Sequence, residues 1–293
     1  MNIESLRMFC RVVDEGSISQ AARSSYVTQP AVTRQIRQLE NRYGTLLFDR
    51  TDGKLLLSDA GKTLYGYAKE IVELDNISYE AMQELIGVQA SVLKVGASLT
   101  IGEYLLPGLL GNFKKQHEEI KFSLSIGNTP YILAKLEENE VDIALVESTV
   151  DNDNFKVRKF ADDELILVTA HNHRWATRDY IDVQELVEEK MIWREKDSGT
   201  RLIVENALDD RGVLEGIQHA MELGSMQSIK SAVEADLGVS ILPRLTVTKE
   251  LKYKALREVT VKDFSIMRDL WIVQKQRRFK KSAETDFEEF LLY

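Results

Sequence analysis

Apolar positions recur at helical spacing from the start of the chain. Ile3, Leu6, Phe9 or Cys10, and Val13 fall on one face of a first helix, which Asn2 is placed to cap and Gly16 to end. Ser17 and Gln20 match a capping box and open a second helix through Ala21 and Ala22, two small residues that allow close helix–helix approach. Thr28 is placed to cap a third helix, with Pro30 in its first turn, where a missing N–H costs little, and Gly44 at its end. At about 100° per residue, Val32, Ile36, Leu39 and Tyr43 share a narrow core-facing sector. Pro30, Arg34, Arg37, Gln38 and Asn41 lie on the opposite side. Leu46 to Leu57 then predicts two short strands about an Asp52-Gly53 turn.

From Ala60 to Gln89 no proline interrupts what reads as one long helix. Leu64, Ile71, Ser78 and Leu85 occupy one heptad position, and Tyr67, Leu74, Ala81 and Val88 another, which makes a seam of about four heptads with its weak point at Ser78. The same pattern fits a helix packed on its own domain. Gly66 and Gly87 lower its intrinsic helicity.

Beyond Ser91 the rhythm changes to alternating strands and helices. Strands are predicted at Val92–Ala97, Ile120–Ile126, Val141–Val146, Leu165–Ala170, Met191–Trp193, His219–Leu223, Val239–Leu242 and Ile266–Gln274. Helices are predicted at Glu103–His117, Pro130–Asn139, Thr200–Asp210, Gln227–Asp236 and Lys280–Leu292. Such alternation indicates a parallel sheet covered by helices. The fold class is α/β overall.

Composition narrows the class. The 293 residues are 44% hydrophobic and 29% charged, as in a globular protein large enough for two or three domains. The single cysteine, Cys10, excludes an internal disulfide framework and fits the apolar spacing of the first helix. No run approaches the ~18 apolar residues of a membrane helix, and the N-terminus lacks a signal peptide's uninterrupted apolar core. A cytoplasmic location without a membrane partner is expected. Net charge is −9, yet between Arg23 and Lys54 six basic residues face three acidic ones. A basic module on an acidic body keeps attraction for phosphate local.

This locates the candidate chemistry. A helix face carrying Arg, Gln and Asn has donors for guanine and adenine edges in a major groove, and for phosphates. Alone, such a face also fits a solvated surface, but a short capped helix and tight break before it make a specific supersecondary unit. Arg50 and Lys54 flank the tip of the hairpin, where they serve either phosphate contact or solubility.

These residues carry a resemblance. Phe9, Val13, Gly16-Ser17, Ala21-Ala22, Thr28 through Thr33, Ile36, Leu39-Glu40, Gly44, Leu47 through Arg50, and Ser58 with Ala60-Gly61 are dense and collinear. Residues 1–61 thereby resemble the N-terminal domain of LysR-type transcriptional regulators. Thr28 and Thr33 stand where serine is common in that family, and Ser58-Asp59 where threonine-proline is usual. The resemblance implies a winged helix-turn-helix over 1–59, a linker helix over 60–90 that pairs subunits, and a two-lobe α/β effector domain over 91–293, similar to periplasmic binding proteins. Lobe one would comprise 91–162 and 267–293, and lobe two 163–266. The DNA-binding set is Ser17, Thr28, Gln29, Pro30, Arg34, Arg37, Gln38, Asn41, Arg50 and Lys54. The implied partners are double-stranded DNA, a second copy in a homodimer or homotetramer, a small effector, and RNA polymerase.

An effector would sit between the lobes at the strand C-termini. The loops there supply Ser98, Thr100, Asn128, Thr129 and Ser148 from lobe one, and Ser198, Gly199, Thr200, Arg201 and Gln227 from lobe two. Hydroxyls and free N–H groups at a helix start suit a carboxylate, sulfate or phosphate, although Ser198 also fits plain helix capping. The Ser198 to Arg201 run is similar to that of the subgroup serving sulfur, carbon or nitrogen assimilation. His171 and His173 lack further metal ligands, and Arg277 to Lys281 reads as a solvated basic connection. No Gly-rich phosphate loop, nucleophile elbow or paired catalytic set can be assembled, so neither an enzyme nor a cofactor is expected. A solute-binding protein fits the second half but not the first.

Overall fold

The computed structural model describes residues 2–51, 54–86, 91–147, 150–196, 198–277 and 279–293. Contacts divide the chain into two compact units, residues 1–89 with 279–281, and residues 90–278 with 282–293. Among the described residues no helix is long and apolar enough to cross a membrane.

The first unit opens with α1 (Ile3–Glu15), capped by Asn2, whose Oδ1 accepts from the Glu4 N–H at 3.1 Å, and closed by Gly16 in the left-handed region at φ 64°. α2 (Ile18–Ser24) begins where the Ser17 hydroxyl accepts from the Gln20 N–H at 3.3 Å. α3 (Gln29–Tyr43) starts after Thr28, which sits at the cap position without a side-chain capping bond. Leu6, Phe9, Val12, Ala21, Val32 and Leu39 pack between the three helices, each at most 2% exposed. The wing is β1 (Phe48–Thr51) paired antiparallel with β2 (Lys54–Leu57), Phe48 opposite Leu57. Its Asp52-Gly53 turn lies outside the described residues.

One helix, α4 (Asp59–Leu85), follows. Gly61 stands so close to the wing that a Cβ there would meet the Leu47 carbonyl oxygen at 2.1 Å, which explains the residue type. Two of the expected seam positions turn inward, since Leu64 and Ile71 join the core of the head. The other row stays out, with Tyr67 65% and Leu74 48% exposed. Val88 and the side chain of Leu85 lie outside the described residues. Tyr43, expected on the core side of α3, is 44% exposed instead. The apolar stripe runs into the last turn, but the chain bends away at Gly44 before anything covers that ring, which packs under Arg42.

In the second unit β3 (Val92–Ser98) leads through a π-helical turn at Ile101–Leu105 into α5 (Leu106–Phe113), in place of the single Glu103–His117 helix predicted. β4 (Lys121–Gly127), α6 (Thr129–Glu137) and β5 (Ile143–Val146) complete the first parallel set, with β4 and β5 on either side of β3. β6 (Phe155–Ala170) is long, at 16 residues. Then come β7 (Lys190–Arg194), α7 (Gly199–Asp209), β8 (Gln218–Leu223), α8 (Met226–Glu234), β9 (Ser240–Pro243), α9 (Arg244–Lys252), β10 (Leu256–Val259), β11 (Ile266–Lys275) and α10 (Ser282–Leu292).

The sheet runs β10-β6-β11-β5-β3-β4, with β9 also on β6, and β7 pairs with β8 separately. It is mixed, not wholly parallel as expected. β6 and β11 are antiparallel to one another, and β5, β9 and β10 pair antiparallel to them. An apolar-in, polar-out reading of the sequence does not fix strand direction, and these two long strands are return strands shared by both lobes. Lobe one buries Leu93, Val95, Phe113 and Phe287. Lobe two buries Trp175, Leu186, Trp193 and Leu208 on one side, and Ile229, Val233, Leu242 and Val247 on the other.

Candidate nucleic-acid interface and effector cavity

On α3 the apolar and polar faces separate cleanly. Val32, Ile36 and Leu39 are buried, while Gln29, Pro30, Arg34, Arg37, Gln38 and Asn41 are exposed. Among the described residues neither Arg34 nor Arg37 has an ion-pair partner, so both guanidinium groups are free donors on one helix face. Thr33 spends its hydroxyl on the Gln29 carbonyl at 3.0 Å, which holds the first turn. The far end of α3 is tied to the wing, because Glu40 accepts from the Leu47 N–H at 3.0 Å. Ser17 and Thr28 frame the helix pair at its two N-termini. The side chains of Arg50 and Lys54 lie outside the described residues. Tyr26 was not anticipated. It is 97% exposed at φ 55°, in the turn before α3, and only its bulk at a left-handed position marks it out.

α4 is fastened to this head by polar groups as well as by its apolar face. Arg7 donates to Asp75 at 2.9 Å and to Asn76 at 2.8 Å. Tyr65 hydrogen-bonds Asp14, and Lys69 lies 4.7 Å over the Tyr65 ring. The helix therefore leaves the head at a defined angle. Cys10 is a packed core residue, and burial pushes its thiol up to about 11, so it is no thiolate at neutral pH.

Between the two lobes lies a cleft of about 240 Å³ that is open to solvent. Leu99, Thr100, Glu103 and Tyr104 line it from lobe one, and Arg194 with residues 224–227 line it from lobe two. Thr100 and Gln227 of the expected effector set meet here. The others are used locally. The Ser98 hydroxyl accepts from the Ile101 N–H at 3.4 Å, Asn128 from the Tyr131 N–H at 3.0 Å, and Ser198 from the Arg201 N–H at 3.4 Å. Thr129 and Gly199 are the first residues of α6 and α7. Ser148 lies outside the described residues.

Thr200 and Arg201 do not join Thr100 on the cavity wall. The Thr200 hydroxyl accepts from Arg268 Nη1 at 3.1 Å. Arg201 turns into lobe two, donating to Glu205 and Glu222 at 2.6 Å each and to the Arg194 carbonyl at 2.8 Å, with its guanidinium over Trp193. The cation that does reach the cavity is Arg194, which is 7% exposed. It donates to both oxygens of Glu195, through Nε at 2.8 Å and Nη2 at 2.7 Å. Behind the cavity wall, Lys230 sits 5.0 Å over the Tyr104 ring and donates to Glu250 at 2.6 Å, which fixes Tyr104 against lobe two.

No group of three His, Cys, Asp or Glu side chains among the described residues is placed to hold a metal. His173 instead packs edge-on to Trp175 and faces Glu189 at 3.3 Å.

Comparisons with known proteins bear on both parts. Residues 3–62 match the family described as bacterial regulatory helix-turn-helix protein, lysR family, and residues 87–293 match the LysR substrate binding domain. A probable RuBisCO transcriptional regulator of Cyanidioschyzon merolae (strain NIES-3377 / 10D) is 32% identical over 294 residues, covering 99% of this chain and 97% of that protein. The regulatory domain of Synechocystis PCC6803 CcmR in complex with 2-PG is 27% identical with a TM-score of 0.63, covering 69% of this chain and 96% of that one. A full-length OxyR variant from Pseudomonas aeruginosa shares the fold, with a TM-score of 0.68 at 21% identity over 100% of this chain and 93% of that one. With a helix-turn-helix head, a two-lobe domain matched over most of the remaining length and relatives named as regulators, the chain belongs to the LysR-type transcriptional regulators, a family of DNA-binding proteins and not of enzymes.

Proposed function

We propose that this chain controls transcription in the cytoplasm by binding operator DNA through α3 and its wing, in response to a small anionic metabolite held between the two lobes. The observation that carries the reading is the α3 face, where Arg34 and Arg37 stand exposed and, among the described residues, unpaired beside Gln38 and Asn41. Bidentate donors on one helix face suit guanine and adenine edges, and the same cations suit phosphate. The division of labour is 1–59 for the head, 60–90 for a pairing helix and 91–293 for the sensor. Gln29, Pro30 and Arg34 approach the bases, while Ser17, Thr28, Arg50 and Lys54 serve the backbone.

The exposed row of Tyr67 and Leu74 on α4 supports pairing of two copies, as dimer or dimer of dimers, because one head reads too short a site alone. An anionic effector is supported by Arg194 in the cavity and by the likeness to a regulatory domain captured with 2-PG. Relatives named for RuBisCO regulation favour a carbon-assimilation target. The effector acts by binding one arrangement of the lobes more tightly than another, with RNA polymerase as the final partner.

A gel shift with the DNA upstream of this protein's own coding region, repeated at rising salt, tests the reading. Sequence-selective binding that weakens with salt is expected. Equal binding to unrelated DNA at every salt concentration would overturn it.

A further inference from the structure

The turn between α2 and α3 combines an unfavourable backbone position with a side chain that the fold does not use. α2 ends in a Schellman motif, in which the Val27 N–H donates to the Ala22 carbonyl at 3.0 Å and the Tyr26 N–H to the Arg23 carbonyl at 3.1 Å. The motif holds Tyr26, the residue after the cap Ser25, in the left-handed region at φ 55°. Glycine or asparagine is favoured there, and a bulky side chain costs stability. The ring gains nothing from the head in return. It is 97% exposed, and neither ring nor hydroxyl has a partner among the described residues. A residue type that works against its own position points to a task for the side chain.

The turn is anchored, and it stands beside the reading helix. Arg11 of α1 donates through Nη1 to the Ser25 hydroxyl at 2.9 Å, which ties the residue before Tyr26 to the head. Tyr26 to Pro30 form one exposed run that leads into the first turn of α3. Three residues of chain span at most about 11 Å, so Tyr26 lies closer to Gln29 than the major groove is wide, about 12 Å. When the first turn of a recognition helix meets base edges, a side chain at that remove meets the groove wall, which is phosphate and sugar. The charge agrees. No Asp or Glu occurs from Gly16 to Leu39, in a chain whose net charge is −9.

We propose that Tyr26 is a DNA-positioning residue, whose hydroxyl donates to a backbone phosphate at the edge of the groove that α3 enters. The proposal rests on the reading of α3 as the DNA-reading helix, and adds a contact that sets how that helix enters. The contact carries no base preference, because phosphates hold no sequence information. It also differs from an arginine contact. A neutral phenol displaces no counterion, so its share of the affinity changes little with salt.

The test uses the full chain and the DNA upstream of its own coding region, with fluorescence anisotropy at several salt concentrations and thermal unfolding of each variant. Tyr26→Phe removes only the hydroxyl and is expected to bind about tenfold more weakly, the effect of one hydrogen bond to a charged acceptor. Tyr26→Gly should lose at least as much, yet its melting temperature should rise, because the backbone strain is gone. In both variants the loss should be equal across single-base changes of the site, and the slope of log affinity against log salt should match the parent's. Ethylation interference should find a phosphate whose modification weakens the parent but not Tyr26→Phe. Unchanged affinity in Tyr26→Phe would overturn the proposal and leave the α3 reading intact. A loss confined to particular base pairs, a shallower salt slope, or a lower melting temperature in Tyr26→Gly would each overturn it as well. Unselective binding by the parent would remove the α3 reading and the proposal with it.

Discussion

Asp163 and Arg268 face each other across β6 and β11, the strands that join the lobes, and Arg268 donates to Asp163 Oδ2 through Nε at 2.9 Å and Nη2 at 2.6 Å. Their side chains are 1% and 2% exposed. The pair also gathers its surroundings, because Arg268 reaches Thr200 at the start of α7 and approaches Glu147 at the end of β5 to 3.8 Å. Removing one member of such a pair strands the other in a site without water. Arg268→Leu is expected to destabilise the second unit by about 3–5 kcal/mol, and the double change Asp163→Asn with Arg268→Leu by clearly less. Urea unfolding followed by tryptophan fluorescence checks this. A single change no worse than the double one would mean that Asp163 finds other partners.

Among the described residues Arg34 has no partner to lose. Arg34→Ala should leave the midpoint of unfolding within about 0.5 kcal/mol of the parent, while operator binding weakens by about 1–3 kcal/mol and discriminates less at one base position. Fluorescence anisotropy on the operator and on single-base variants measures both. Loss of stability together with binding would place Arg34 in the fold and not on the DNA.

Leu74 separates pairing from folding. It lies on α4 outside the core of the head, so Leu74→Glu should leave the head folded and shift the assembly toward monomer in sedimentation velocity. Operator affinity should fall with it, because the gain from joining two sites is lost. An unchanged sedimentation coefficient would remove Tyr67 and Leu74 from the interface.

Cys10 gives a dependence on pH whose sign follows from burial. Its thiol is pushed up to about 11, first by desolvation and then by the nearby Asp14 carboxylate. The folded state therefore holds the proton more tightly than the unfolded state. That contribution is fully present below the ordinary thiol pKa near 9.0 and is lost as pH rises through about 11. Stability of the head should fall across that window, and alkylation at pH 8 should be much faster in urea than in the native protein. Fast native labelling at pH 8 would show an accessible thiolate.

The head was legible because its signals are local. Asn2, Ser17 and Gly16 act within a few residues of themselves, and the apolar spacing of α1 and α3 needs no partner to be recognised. Tyr43 failed for the same reason. Its spacing was right, but what covers a side chain depends on where the chain goes next. In the second unit most strands and most helices were readable. β10 was missed, and β6 was read only from Leu165 to Ala170, its last part, because the first ten residues of that strand mix charged and apolar positions. α9 was not readable, since its polar and apolar residues share no strong face, and neither was the π-turn, which leaves no mark in the spacing of Ile101–Leu105.

Site chemistry depended on still longer distances. Thr200 looked free in sequence, yet its partner Arg268 lies 68 residues away. Arg201 looked like an anion ligand, yet Glu222 and the stack on Trp193 draw it inward. Arg194 sits at the end of a buried strand, where a run of apolar neighbours gave no hint that it would line a cavity.

The length of β6 and β11 has a mechanical consequence. They pair from Ile266 opposite Leu165 to Lys275 opposite Phe155, broken only by a bulge at Leu270/Trp271. Two lobes joined by flexible loops would swing about a point. Two lobes sharing one hydrogen-bonded ribbon must instead twist it, so their relative motion has a torsional restoring force, and the bulge is where that twist is easiest. Neither lobe owns the ribbon, and cutting the chain to isolate one lobe would leave it with an open sheet edge.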